Sequence, residues 1–297
     1  MKDLLKYALL AVSTACILYT ALLFVSIIYV QNASLKADSK VTTAVFGNSV
    51  GETSINDTIL DDYANYCISG TSFYILEDFI YSAVDANPRI KRIVLTFDPN
   101  LYHYGDDGFN NASIEYYRNH FPLAVYSGFK MFDRYTFPQV CKFLSYARLS
   151  KPHYGYSRIN RRNIHQGQWS VPWFNERHKE LQDIPYEKNI LISSLNLTAL
   201  RRIADRLISQ GKEVVILSTP TYHLDNYFGR KGYNDYLSTL NDAVLIADYS
   251  DFQMPSDDYY GDVVHLNDIG SDYFSNHIKE FHLKSEPLKT YLQQQIN

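Results

Sequence analysis

The sequence predicts an α/β protein, a three-layer α/β/α sandwich around a mostly parallel sheet, preceded by one transmembrane helix. Three observations carry this expectation. From Val41 onward, short β-branched apolar runs alternate with stretches whose apolar residues recur every three and four positions, the pattern of strands joined by helical crossovers. The composition, 46% hydrophobic and 20% charged with a formal net charge of −4, suits a packed core. It excludes a disordered chain and a nucleic-acid binder that works by excess positive charge. Finally, Tyr7–Val30 contains no charged residue. The chain of 297 residues has room for one large domain or two small ones. Its 26 Tyr and 16 Phe suit core and interface packing as well as carbohydrate-facing loops.

At 1.5 Å per residue, Tyr7–Val30 can cross a bilayer with some tilt. Lys2 and Lys6 precede it, so residues 1–6 are expected as a cytoplasmic leader and 7–30 as a single-pass signal anchor in the cytoplasmic (inner) membrane. The run is longer than the roughly 7–15 apolar residues of a cleaved signal peptide. A lipid attachment at Ser13-Thr14-Ala15-Cys16 fits less well, because the apolar run continues well past Cys16. Residues 31–40 are polar and read as a linker. A domain over 41–285 then faces the periplasm or the cell exterior, followed by a tail over 286–297. On that side Cys67 and Cys141 either pair or stay as buried thiols, and the apolar surroundings of Cys67 favour the thiol. Sequons at Asn32, Asn56, Asn111 and Asn196 matter only in a eukaryotic secretory host.

Within the domain, 41–46 is expected as a strand that stops at Gly47-Asn48-Ser49. Ile55, Ile59 and Leu60 follow at helical spacing. A second strand is expected over 65–69, ending at Gly70. Phe73, Leu76, Phe79, Ile80 and Val84 mark an amphipathic helix that Asn87-Pro88 stops. A third strand covers 90–97. Residues 101–189 then break the rhythm and read as a large insertion, with helical fragments at 121–133 and 136–149. The alternation resumes with a helix over 195–210, a strand over 213–218, a helix over 233–240, a strand over 244–248 and a helix over 269–281.

Two motifs carry chemistry. Ser49 follows the first strand, at the carboxyl edge where ligands bind in open parallel sheets, and a helix starts beside it. By itself such a serine reads more readily as a plain turn residue that caps the helix. Asp262-Val263-Val264-His265 precedes the last helix, and its loop lies at the same edge. His265 is placed to act as general base for Ser49, and Asp262 to fix the tautomer of His265. Together they form a self-consistent Ser–His–Asp constellation. There is no HExxH, no paired-cysteine metal signature, no GxGxxG and no P-loop, so no metal or cofactor is expected.

Gly47-Asn48-Ser49 resembles the first block of the SGNH (GDSL-like) hydrolases, with Asn in place of Asp. Asp262-x-x-His265 resembles their last block. The likeness continues through Ile55-Asn56 and through Ser69-Gly70 after the second strand. It covers most of 41–100 and 190–281 and leaves out 101–189. It implies the SGNH/flavodoxin-like sandwich, a serine nucleophile, and backbone oxyanion donors at Ser49 and Gly70. One block departs: where the family has G-x-N-D after the third strand, this chain has Phe97-Asp98-Pro99-Asn100, and only Asn100 is available as a side-chain donor.

The sequence is most like exported, singly anchored members, among them the D-alanyl transfer protein of teichoic acid synthesis and the alginate O-acetylation proteins. That likeness implies an esterase or O-acyltransferase in polysaccharide modification of the cell envelope. Its partners would be a surface polysaccharide or acylated carrier, a membrane-bound O-acyltransferase and the membrane itself, with no nucleic acid. The alternative is a non-catalytic glycan-binding or assembly partner that keeps the fold. Tyr102 and His103 after the third strand, and Tyr222 and His223 after the fourth, suit stacking on sugar rings and equally suit covering the core. Tyr154, Tyr156, Arg158, Arg161 and Arg162 in the insertion read as a solvated basic loop or a grip on an anionic polymer.

Overall fold

Parallel strands buried on both faces read as continuous apolar runs, and those runs build the centre of this protein. The computed structural model describes residues 2–31, 35–68, 71–97, 137–138, 194–222, 230–262 and 264–295. The expected insertion over 101–189 lies outside them apart from 137–138, as does Cys141. Six strands form one sheet in the order β2-β1-β3-β4-β5-β6. They are β1 (Thr43–Phe46), β2 (Tyr63–Asn65), β3 (Arg92–Thr96), β4 (Glu213–Ser218), β5 (Leu245–Asp248) and β6 (Glu286–Pro287). The first five are mutually parallel and β6 is antiparallel to β5. The chain therefore adds β2 on one side of β1, then crosses to β3 on the other. That reversal leaves a crevice beyond the carboxyl ends of β1 and β3.

Side-chain alternation divides the core in two. Ala44, Phe46, Ile93, Leu95, Val214 and Ile216 point into one apolar cluster. Val45, Val94, Val215, Leu217 and Ala247 point into the other. Into the first cluster α3 (Phe73–Asp85) inserts Leu76, Phe79, Ile80 and Ala83, and α4 (Ser194–Ser209) inserts Leu200, Ile203 and Leu207. The i, i+3, i+4 spacing of these residues makes one apolar stripe per helix. Arg202 of α4 clamps Glu77 of α3 on the rim, with Nε 3.0 Å from Oε1. The first cluster also takes Tyr233 and Leu237 from α5 (Arg230–Leu237). The second cluster takes Phe274 and Ile278 from α6 (Asp268–Phe281).

Several local expectations shift. The helix after β1 is not the Ile55–Leu60 stretch but α2 (Ser49–Ser54), because Asn48 caps it through a bond from Val50 N at 3.1 Å. Residues after Ile55 form turns, with Ile55 and Leu60 as core plugs. The second strand lies earlier than 65–69, at Tyr63–Asn65, yet Tyr66 N and Ile68 N still bond Val45 O and Gly47 O at 2.8 and 2.9 Å. Cys67 is a buried free thiol beyond the end of that strand. The stretch expected as a C-terminal tail instead adds β6 and α7 (Leu288–Gln294), with Leu288 and Tyr291 in the core.

The N-terminal helix α1 runs Lys2–Gln31, and its Leu5–Leu22 window has mean hydropathy 1.6, long and apolar enough to span a membrane. Part of the expected linker is not free. Leu35 is buried, its carbonyl accepts from Asn87 Nδ2 at 2.7 Å and Tyr66 Oη at 3.1 Å, and Ala37 N donates to Asn87 Oδ1 at 2.7 Å.

Asp57, in the turn after α2, accepts the Asn65 N–H at 2.9 Å, while its other carboxyl oxygen is buried without a partner among the described residues. Burial pushes its carboxyl up to about 7, against a smaller lowering by the Asn65 and its own N–H groups. The folded carboxyl thus titrates above its unfolded value. Stability from this group is full below about pH 4 and is lost as pH rises to about 7, with a ceiling of about 4 kcal/mol. Asp57→Asn, which keeps an acceptor for Asn65, is expected to raise the thermal unfolding midpoint at pH 8. The gain should shrink towards pH 4 in the same melts.

Candidate active site

The geometry of the first motif begins with two glycines. A Cβ at Gly47 would lie 1.8 Å from Thr96 Oγ1, and one at Gly51 would lie 2.5 Å from the same atom and 2.6 Å from Cys67 Sγ. The turn between β1 and α2 therefore packs directly on the last residue of β3. Ser49 is the first residue of α2, so its N–H precedes the intrahelical ladder. The far end of α2 is held by Asn65, whose buried amide donates to Gly51 O at 3.0 Å and Ile55 O at 2.7 Å. Its Oδ1 accepts from Cys67 N at 3.0 Å. Glu52, one turn into the helix, is also buried. Burial, reinforced by the Glu52 charge, pushes the Cys67 thiol well up, so Cys67 stays neutral where it packs against Gly51.

The second motif is a folded-back loop. A short 3₁₀ turn, Asp257–Tyr259, leads to an isolated bridge between Tyr260 and Leu266. Gly261 N donates to His265 O at 2.8 Å. Asn267 caps α6 through Gly270 N at 3.0 Å and holds Asp258 O through its amide at 2.7 Å. Gly270 is required by proximity, since its Cβ would sit 2.1 Å from Tyr259 O. Tyr222 stacks edge-on against Tyr260 with centroids 5.3 Å apart and donates to Asp257 Oδ2 at 3.2 Å. Of the four expected sugar-facing residues, Tyr222 thus braces this loop. Tyr102, His103 and His223 lie outside the described residues.

The two motifs meet. His265 Nε2 is 2.8 Å from Ser49 Oγ, and His265 Nδ1 is 2.7 Å from Asp262 Oδ2. Asp262 Oδ1 also accepts from Val264 N at 2.9 Å and His265 N at 2.8 Å. Burial raises the Asp262 carboxyl, but the His265 hydrogen bond and charge, with the two backbone N–H groups, outweigh it and hold it below the usual range. An ionised carboxylate can only accept, so Nδ1 carries the proton in this arrangement. In the neutral ring Nε2 is then the acceptor, and the Ser49 hydroxyl donates to it. A serine in this state is set up to lose its proton to His265 as it attacks an electrophile. Gly70 and Asn100, expected as oxyanion donors, lie outside the described residues. Gly51, Thr96 and Asn65 were not singled out from the sequence. A buried strand-end Asn or Thr has no periodicity that marks it.

A cavity of about 740 Å³ lies at the opposite, amino edge of the sheet, lined by strand-start residues such as Thr43, Tyr63, Arg92 and Glu213, and it is remote from this chemistry.

No family model matches the chain, and no curated protein matches it. It is similar to a solved structure from Streptococcus pneumonia, named provisionally as a platelet activating factor, at 13% identity and a TM-score of 0.41, over 91% of this chain and 99% of that one.

Gly47→Ala is expected to destabilise the domain by about 1–3 kcal/mol through overpacking against Thr96. Chemical denaturation would read this as a lower midpoint at unchanged slope.

Proposed function

We propose that this protein is a serine acyl hydrolase or O-acyltransferase of SGNH type, built as a three-layer α/β/α sandwich and carried by an N-terminal membrane anchor. The observation that carries the reading is the continuous Ser49–His265–Asp262 hydrogen-bond chain, 2.8 Å and 2.7 Å long at its two links, at the carboxyl edge of a parallel sheet. The motif resemblance at Gly47-Asn48-Ser49 and Asp262-x-x-His265 supports it.

In this reading Ser49 Oγ attacks an ester carbonyl while its proton passes to His265 Nε2. The ionised Asp262 stabilises the imidazolium and holds the ring's orientation. The N–H groups of Ser49 and Gly70, with the Asn100 amide, receive the oxyanion. His265 returns the proton to the leaving alkoxide, which gives an acyl-Ser49 ester. Water or an acceptor hydroxyl then loses its proton to His265 and attacks that ester, and His265 returns the proton to Ser49 Oγ as the acyl–Ser49 bond breaks and the acid or acylated acceptor leaves. The acceptor class is a cell-surface polysaccharide, and a membrane-bound O-acyltransferase is the partner that would deliver acyl groups. The domain lies on the periplasmic or external side, and α1 stays in the cytoplasmic membrane.

A fluorophosphonate probe is expected to add once to wild-type chain, at Ser49, as read by intact-mass and peptide mass spectrometry. Ser49→Ala should abolish the adduct and His265→Ala should slow it by roughly 10³–10⁴. A folded wild-type chain that never takes the probe, with glycan binding unaffected by Ser49→Ala, would favour the non-catalytic assembly reading instead.

The intact mass of the mature protein extracted from membranes is expected to include residues 2–31. A mature N-terminus beyond residue 31 would make α1 a cleaved signal sequence and sink the anchor.

A further inference from the structure

We infer that Asn56 is a positioning residue that sets the approach of Ser49 to His265. The inference rests on the acyl-transfer reading above. Asn56 follows the C-terminal end of α2 and is 2% exposed. Its Nδ2 donates to Asp272 Oδ1 at 2.7 Å, and its backbone N–H donates to Ser275 Oγ at 2.8 Å. Its Oδ1 accepts from Thr58 N at 3.0 Å and Thr58 Oγ1 at 2.6 Å. Asp272 and Ser275 both belong to α6, the helix that starts just after His265.

The two ties are evenly spaced along both segments. Ser49 bonds His265 and Asn56 bonds Asp272, and both pairs are separated by 216 residues in the chain. The same two segments are therefore joined again seven residues further along each, and the Asn56 N–H to Ser275 Oγ bond reinforces that second junction. A single tie leaves two packed segments free to pivot. A second tie fixes their separation and tilt together. The first tie is also the one that must change during the reaction, when the Ser49 Oγ–H bond breaks and an Nε2–H bond forms. The second tie does not react, so it holds the segments in place while the first one turns over. It is short, buried on the Asn56 side and made to a carboxylate, the class of hydrogen bond that is stronger than one between neutral groups. Near-attack geometry tolerates little error, and a 1 Å displacement can cost on the order of 10²-fold in rate.

The test uses an exchange of donor and acceptor in the full-length chain in detergent. Asn56→Asp sets a second carboxylate against Asp272 and keeps the acceptor for Thr58. Combining Asn56→Asp with Asp272→Asn restores the link with its polarity reversed. Two readouts are taken at a temperature where circular dichroism shows each variant folded. One is the rate of fluorophosphonate addition to Ser49. The other is the ¹⁵N resonance of His265 Nε2 in histidine-labelled protein, with Ser49→Ala as the reference for a lost hydrogen bond. Asn56→Asp is expected to slow addition by roughly 10–100-fold and to move the Nε2 resonance towards that of Ser49→Ala. The exchanged pair should recover most of both.

An unchanged rate and resonance in Asn56→Asp would overturn the inference. So would a loss that the exchange fails to recover in a variant with the wild-type melting temperature. If wild-type Ser49 takes no probe at all, the acyl-transfer reading fails by itself. The resonance then decides alone, movement with recovery sustaining the positioning role and a static signal ending it.

Discussion

The turn from β1 into α2 has to fit against Thr96, and the position of Ser49 follows from that one contact. The chain leaves the sheet at Phe46, turns through Gly47 and Asn48, and starts a helix at residue 49. Thr96 ends β3 and is itself buried between β1 and the buried end of β4, so its side chain has nowhere to retreat. Hydrogen at Cα is all that the space allows at positions 47 and 51. The serine is thus located by the rigid centre of the sheet rather than by a loop. Asn65 then secures the other end of the same short helix, its amide donating to Gly51 O within the helix and to Ile55 O at the C-cap. A six-residue helix would otherwise be marginal by its own propensity.

Two half-buried carboxyls show how local donors decide charge. Asp57 receives the Asn65 N–H, leaves one oxygen without a partner among the described residues, and is pushed up to about 7. Asp262 also suffers burial, yet two backbone N–H groups and the His265 ring converge on it, and its carboxyl titrates low. The contrast is one of donor count in similar surroundings. It also explains why the folded-back Asp262–His265 loop is so tightly built. The loop's backbone provides the donors that keep its own acid ionised, and Tyr222, Asn267 and Gly270 fix that backbone from three directions.

Most of the α/β alternation was legible because buried parallel strands and amphipathic helices leave strong periodic marks. The 213–218 strand matches residue for residue, and α3 and α6 begin within a residue of the expected positions. Errors fell where local chemistry outweighs periodicity. Ile55 and Leu60 lie at helical spacing but plug the second cluster from turns, because Asn48 starts the helix earlier and Asn65 ends it. The C-terminal β6 is two residues long, too short for any alternation to register. At the site, Ser49, Asp262 and His265 were readable from motif and chain order. The residues that make the geometry were not. Thr96, Asn65 and the Asn56–Asp272 link act through contacts distant in sequence, and a single polar residue in an apolar run does not say what it will meet.

The docking of Leu35 has a consequence for reach. Asn87 and Tyr66 fasten the chain at residue 35, and α1 ends at Gln31. Four peptide links separate those two points, a contour of at most roughly 14 Å. The domain is therefore leashed to the end of α1 and cannot roam on a ten-residue tether. Wherever the end of α1 is held, the crevice can meet only what comes within that short span of it, beyond the radius of the domain itself.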